Sequence, residues 1–408
     1  MPCQPPAVPS TEPTPQPLPA SLDWLADELT ELEAADLLRP RRLRTGRQAA
    51  RVSLDGTPLV NVGANDYLGY AGDPRLVKAA AKGACAEGAG AGASPLISGH
   101  SAIHDALAAS LAALLATDDA LIFPSGYAAN TATIAALAGP GDLIVSDARN
   151  HASIIDGCRL SRAEVAIYPH RDVAAAAALL ARPARRRLLV TDSLFSMDGT
   201  IAPLAELARL ATETGSMLLV DEAHATGVFG PRGSGLVEAA GVETAVTVRV
   251  GTLSKAVGSA GGFVAGHRSL VEFLRHRARA WMFSTAHPPA AAGAAKCGID
   301  LLAAEPFRRQ LLRERATAFR QQLRQAGLSL GEAEAQIVPV FIGEPRRTVT
   351  IATALMQAGF FVPAIRPPSV PEGSSLLRVS LSYLHDEALL DQLATALISH
   401  VRHVSHAH

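Results

Sequence analysis

Short apolar runs alternate with helix-like stretches through the middle of this chain. Between Asp118 and Gly266 the runs fall at 120–123, 143–146, 165–168, 187–191, 217–220, 245–250 and 263–265, with helical patterns at 126–137, 154–160, 172–180 and 204–214. Such largely continuous apolar runs predict strands buried on both faces, the pattern of a mostly parallel α/β sheet covered by helices. Ligands of such sheets bind where strands end and helices begin. A helical region follows Trp281 and is interrupted by Pro306. Beyond Gln336 the order becomes strand (337–342), helix (349–358), strand (376–381) and helix (386–401), which predicts a smaller α+β unit. Upstream, Ser21-Leu22-Asp23-Trp24 opens a predicted helix reaching about Leu38, and a basic connector leads to a short strand at 59–62. The expected organisation is a disordered Pro-rich tail over 1–20, an N-terminal segment over 21–70, a major domain over 71–285 and a C-terminal α+β domain over 286–408.

Composition narrows the class. With 48% hydrophobic residues the 408-residue chain can bury a large core, and a net charge of −1 gives no basic field for nucleic acid or membrane lipid. No apolar run approaches the ~20 residues of a membrane span, and the Pro-rich start has no signal-peptide pattern. The four cysteines (Cys3, Cys85, Cys158, Cys297) lack metal or redox spacing, as expected of a cytoplasmic protein.

Several short motifs fail on context. Asp221-Glu222-Ala223-His224 spells a helicase box, but no Gly-x-x-x-x-Gly-Lys-Ser/Thr loop accompanies it. Gly88 to Gly92 follows a helix-like stretch instead of a strand, so it predicts a tight turn. His100 and His104 have helical spacing but no third ligand, which predicts one surface and one packed histidine and no metal site.

The chemistry lies at the strand ends. Lys255 sits in Gly251-Thr252-Leu253-Ser254-Lys255, a glycine- and hydroxyl-rich turn after a buried strand. A lysine there can form a Schiff base with an aldehyde, with hydroxyls ready for a phosphate. Asp221 ends the 217–220 run, where a carboxylate can pair with a pyridinium nitrogen; a helix cap is the competing reading. His224 is placed to reach the ring's 3-oxygen. Ser125-Gly126-Tyr127 opens a helix whose amides would face an anion. His151 stands at another strand end, where an imidazole can stack on a pyridine. Together these residues point to pyridoxal phosphate (PLP).

In chain order, Asn65-Asp66-Tyr67-Leu68-Gly69, Ser125-Gly126-Tyr127-Ala128-Ala129-Asn130, Phe195-Ser196-Met197-Asp198-Gly199, Asp221-Glu222-Ala223-His224-Ala225-Thr226-Gly227 and Gly251-Thr252-Leu253-Ser254-Lys255 resemble the α-oxoamine synthases. These are fold-type I PLP-dependent transferases that condense an amino acid with an acyl-CoA, and the resemblance runs from about Ala34 to the C-terminus. It implies that Lys255 carries PLP and removes the substrate Cα proton, that Asp221 holds the pyridinium proton and that His151 stacks on the ring. His224, with Ser196 nearby, would hold the 3-oxygen and the thioester carbonyl. Gly126, Tyr127, Thr252 and Ser254 would contact phosphate and ring edge. Thr285 would reach the phosphate of the partner subunit in a homodimer. Asn65 and Arg378 would bind substrate, the arginine by gripping the α-carboxylate; without the resemblance, a surface strand arginine is the simpler reading.

Within the family, Ile365-Arg366-Pro367-Pro368-Ser369-Val370-Pro371 is similar to members that join L-alanine to a pimeloyl thioester (CoA or acyl carrier protein) in the biotin pathway. Arg39 and Arg366 are then candidates for the far carboxylate, with Ser369 in the same pocket. Glycine-using members form the alternative, and a PLP-binding regulatory domain without turnover is the alternative of another class. Two departures bear on substrate fit. Ser94-Pro95-Leu96 replaces a glycine-rich turn that is followed by a basic residue or histidine, and Asp192 replaces a common glutamate.

Overall fold

A computed structural model describes residues 18–405; the tail expected over 1–20 lies, as far as residue 17, outside the described residues. Seven strands form the central sheet: β1 (Asp119–Phe123), β2 (Leu143–Asp147), β3 (Glu164–Tyr168), β4 (Arg187–Asp192), β5 (Met217–Asp221), β6 (Val248–Thr252) and β7 (Gly262–Gly266). Their order is β1-β7-β6-β5-β4-β2-β3, with only β7 antiparallel to its neighbours. Every residue of β2, β6 and β7 is buried, the charged Arg249 of β6 included, whereas β3 at the sheet edge exposes Val165 and Ile167, and apolar clusters lie on both faces of the sheet. Truncating a fully buried member such as Leu219 or Leu189 to alanine would cost about 2–5 kcal/mol.

Helix ends follow local chemistry. The helix Gly126–Leu137 starts where Ser125 Oγ accepts the Ala128 amide at 3.0 Å, a cap worth about 1 kcal/mol. The helix Leu204–Thr214 stops at Gly215. Two expectations shift. The run at 245–250 becomes a strand only from Val248, because the Ala245 amide closes a turn onto the Val242 carbonyl. The first helix spans Trp24–Ala34 and ends short of Leu38, where Asp36 takes a left-handed backbone conformation.

The expected basic connector instead contains strands. Arg44–Thr45, Arg51–Leu54 and Thr57–Asn61 form an antiparallel meander that gains Phe360–Phe361 in parallel. The 21–70 segment therefore shares a sheet with the C-terminal region. There, Ile337–Gly343, Ser375–Ser380 and Ala364–Ile365 form a smaller antiparallel sheet beside the helices Pro345–Gln357 and Glu387–Ser405. The Ser380 amide donates to the Val62 carbonyl at 2.7 Å, which brings Asn65 beside Arg378. His100 is exposed and bonded to Asp105, while His104 is buried in the capping box begun by Ser101.

Candidate active site

Strand β6 ends at Thr252, and the chain folds back on itself to enter β7. The Leu253 amide donates to the Gly261 carbonyl and the Ser259 amide to the Leu253 carbonyl, each at 2.9 Å. Gly258 permits the reversal. Its φ is +78°, and a Cβ there would lie 2.6 Å from Tyr70 Cβ. This tight loop projects Lys255 over the C-terminal ends of the parallel strands. Lys255 Nζ lies 2.8 Å from His224 Nε2, and His224 Nδ1 lies 2.6 Å from the hydroxyl of Tyr67. Loss of hydration lowers the Lys255 pKa to about 8, although Asp221 and Asp192 oppose the shift. Burial likewise holds the His224 pKa well below its ordinary value, with the charges of Lys255, Arg378 and His151 adding to the effect.

A second group of residues surrounds Asp221. One carboxylate oxygen accepts from Asn130 Nδ2 at 2.6 Å and the other from the Ala223 amide at 2.7 Å. Asn130 also meets Ser153 Oγ at 2.9 Å, and Ser153 Oγ lies 2.8 Å from His151 Nδ1. The β4–β5 register sets Asp192 directly beside Asp221. Asp192 accepts the His151 backbone amide at 2.7 Å, so this departure from glutamate braces the histidine. Burial, then the Asp221 charge, push the Asp192 pKa well above the usual carboxylate range. His151 is exposed in the cofactor-free site, yet lost hydration keeps its pKa below the ordinary value, with Asp221 opposing the shift.

Near the start of the helix Gly126–Leu137, a Cβ on Gly126 would stand 3.3 Å from Thr252 Cβ, and one on Gly262 would stand 2.5 Å from the Gly126 nitrogen. Only glycine leaves these first helical amides, which lack intrahelical acceptors, open to an anion. Thr252 Oγ1 and Ser254 Oγ are 2.6 Å apart at the same rim. The Tyr127 phenol turns outward to Asp156, so from this residue the cradle receives only backbone. The opposite wall is Arg378, buried, with Nε donating to the Ser196 carbonyl at 2.6 Å and Nη1 to Asn65 Oδ1 at 3.1 Å.

The remaining expected residues lie apart. Thr285 is exposed and hydrogen-bonds to none of these groups. Ser369 lines a cleft of about 580 Å³ that opens beside Asn150 and Ser196. Arg39 and Arg366 do not line it. Arg39 donates to the Pro367 carbonyl at 2.9 Å, and the buried Arg366 donates to the carbonyls of Asp36 and Leu38.

The aminotransferase class I and II family matches residues 57–397. The 8-amino-7-oxononanoate synthase of Anaeromyxobacter dehalogenans strain 2CP-1 is 49% identical over 378 residues, covering 92% of this chain and 95% of that protein. The chain belongs to the α-oxoamine synthase family. Among solved structures, Sphingomonas wittichii serine palmitoyltransferase is similar with a TM-score of 0.89 and 33% identity, covering 95% of this chain and 98% of that one. The S. paucimobilis serine palmitoyltransferase with PLP and myriocin bound also has a TM-score of 0.89, at 30% identity, covering 96% of this chain and 100% of that one. The chain is accordingly a fold-type I, PLP-dependent enzyme, similar to 8-amino-7-oxononanoate synthase. Its residues fit that cofactor. A half-buried amine, a buried carboxylate one strand away and an anion cradle that a Cβ would fill stand at neighbouring ends of one sheet.

Sequence reasoning assigned no role to Tyr67, Asn130 or Ser153, although the first two stand in the quoted motifs. A usable signal was present for Asn130. It lies one helical turn after Gly126, the one side-chain amide of a helix whose other polar groups are hydroxyls, and it is buried.

Proposed function

We propose that this protein joins L-alanine to a pimeloyl thioester, carried by CoA or acyl carrier protein, and releases 8-amino-7-oxononanoate, CO₂ and the free thiol carrier in cytoplasmic biotin biosynthesis. Bound PLP supplies an electron sink for a carbanion at the substrate Cα. Lys255 holds the cofactor and then takes the Cα proton on Nζ. Asp221 keeps the ring nitrogen protonated, braced by Asn130 and Ala223. His151 covers one ring face, and His224, with Ser196, orients the 3-oxygen and the thioester carbonyl. The amides of Gly126 and Tyr127 and the hydroxyls of Thr252 and Ser254 bind the phosphate. Thr285 completes that cradle in the partner subunit of a homodimer. Arg378 grips the amino acid's carboxylate and Asn65 orients the guanidinium.

The observation that most supports an acyl donor is the cleft beside Asn150 and Ser196. It is walled by Phe195, Met197, Phe341, Val370 and Leu376, apolar surface suited to a methylene chain, and Ser369 lies along it. Arg39 and Arg366 join the far end of that chain only if their present carbonyl contacts are exchanged for the substrate carboxylate. CoA release measured over a matrix of amino acids and acyl thioesters tests the assignment. Alanine with pimeloyl-CoA should give the highest kcat/KM, and a preference for glycine with acetyl- or succinyl-CoA would overturn it.

A further inference from the structure

We infer that His170 is a positioning residue for the acyl cleft, clamping the loop that carries Ser196 against the buried carboxylate of Asp147. The inference rests on the reading of that cleft as the acyl-donor site. His170 does not itself line the cleft.

His170 stands two residues beyond β3 and belongs to none of the motifs quoted above. Its ring makes three contacts. Nδ1 lies 2.9 Å from Asp147 Oδ1, Nε2 lies 2.9 Å from Thr200 Oγ1, and the ring meets Phe195 edge-on, with centroids 4.4 Å apart and planes at 88°. Asp147 ends β2 and is 3% exposed, and its carboxylate also accepts the amides of Arg149 at 2.8 Å and Arg171 at 2.9 Å. Thr200 closes the loop that begins at Phe195. The Phe195 amide donates to the Thr200 carbonyl at 3.0 Å, and the Thr200 amide and hydroxyl donate to Asp198 Oδ1 at 3.1 and 2.7 Å. Asp198 pairs in turn with Arg149. Two loops, 147–150 and 195–200, therefore share one buried anchor. Both wall the cleft, through Ala148, Arg149 and Asn150 from the first and Phe195, Ser196 and Met197 from the second.

The order of carboxylate, imidazole and hydroxyl matches a nucleophilic triad, but burial excludes that use. Thr200 is 4% exposed, does not line the cleft and donates its hydroxyl to Asp198. What the arrangement can do is hold. The Ser196 carbonyl accepts from Arg378 Nε at 2.6 Å, and the loop beyond it is fastened to His170 through Thr200. Arg378 keeps Asn65 and Ser380 as partners at 3.1 and 2.6 Å, so a loosened loop leaves the amino-acid side of the site in place. The effect falls on the acyl side, where a displacement of about 1 Å at a positioning group can cost roughly 10² in rate.

The test uses the full-length enzyme loaded with PLP. His170→Phe removes both ring nitrogens, whichever of them carries a proton, and keeps an aromatic edge against Phe195, while Asp147 keeps its two backbone amides. Hydrogen exchange read by mass spectrometry should be about tenfold faster in the peptide spanning 194–201, as when a hydrogen bond is lost from a local opening, while peptides from the central strands match the parent. KM for the acyl thioester that the parent uses best should rise about tenfold. The alanine titration by visible absorbance and the solvent exchange of its α-proton, which need no acyl donor, should stay close to the parent's. His170→Gln, whose amide reaches toward Thr200, should recover part of the loss. Unchanged loop exchange would overturn the clamp. A faster loop with unchanged KM, or a loss shared equally by alanine binding and the acyl step, would overturn the positioning role, because general loosening spares neither substrate. Should the parent turn over no acyl thioester, the reading of the cleft falls on its own, and the loop exchange still decides the clamp. If His170→Phe does not fold, Thr200→Val, which loses the hydroxyl at nearly constant size, should show the same split, and its absence there would equally refute the inference.

Discussion

Replacing Asp221 by asparagine separates charge from shape at the centre of the site. The side chain is 4% exposed and accepts from Asn130 Nδ2 and from the Ala223 amide. Asparagine keeps one acceptor for Ala223, and its new NH₂ group would meet the Asn130 amide. Asn130 can turn over, because its own Oδ1 is buried without a partner and would then accept. The Ser153 hydroxyl can reverse its role toward Asn130 in the same rearrangement. Folding should therefore survive, with the urea midpoint close to that of the parent. Catalysis should not, because a neutral amide cannot hold a proton on the cofactor's ring nitrogen. Removing one partner of a buried ion pair costs about 3–5 kcal/mol, a factor of roughly 10² to 10⁴ in rate. Exchange of the α-proton of alanine with deuterated solvent, followed by NMR, isolates the deprotonation from the later condensation. Near-normal exchange in a folded Asp221→Asn protein would show that the carboxylate is only a structural cap.

Other consequences are open to measurement. Arg378→Ala should weaken alanine binding, followed by visible absorbance, by about 2–5 kcal/mol while PLP binding changes little; an unchanged alanine titration would return Arg378 to a packing role. In doubly tagged mixed dimers of Lys255→Ala and Thr285→Asp, one site carries both lesions and the other neither, so about half the wild-type activity should return. If mixed dimers stay as inactive as either folded parent, Thr285 does not serve the neighbouring site. Acidification should destabilise the fold between about pH 6.5 and pH 4. Burial lowers His287 and His385 to about 4, whereas the unfolded chain takes up those protons near 6.5, so their stabilisation is complete above that pH and lost as pH falls. Burial lowers His151 and His224 in the same sense, whereas Asp66, raised to about 6, and the raised Asp192 and Glu222 work in the opposite sense. The urea midpoint should fall as pH is lowered through this range, and a midpoint that stays flat would contradict it.

The central sheet was legible in the sequence because its mostly buried strands leave short apolar runs, which turn chemistry then brackets. The sequence also marked Lys255, Asp221, His151 and His224, since each follows a strand closely enough that its position depends little on distant packing. Of the N-terminal meander only the strand Thr57–Asn61 was legible, at 59–62, and the other two were hidden. Its strands are short and half exposed, and their partner Phe360–Phe361 lies some three hundred residues away. Arg39 and Arg366 illustrate the same difficulty. The family resemblance made them candidate anion ligands, whereas the backbone carbonyls of Pro367, Asp36 and Leu38 accept from them in the structure. The link from Lys255 through His224 and Tyr67 to Asn65 joins residues from distant parts of the chain, so no local pattern could disclose it.

The central claim is that Lys255 alone carries the cofactor. Borohydride reduction of the purified protein, followed by proteolysis and peptide mass mapping, tests it most directly. The pyridoxyl mass should fall on the peptide containing Lys255 and disappear in Lys255→Ala. A pyridoxyl group on Lys78, Lys82 or Lys296 instead, with Lys255 unmodified, would contradict the account.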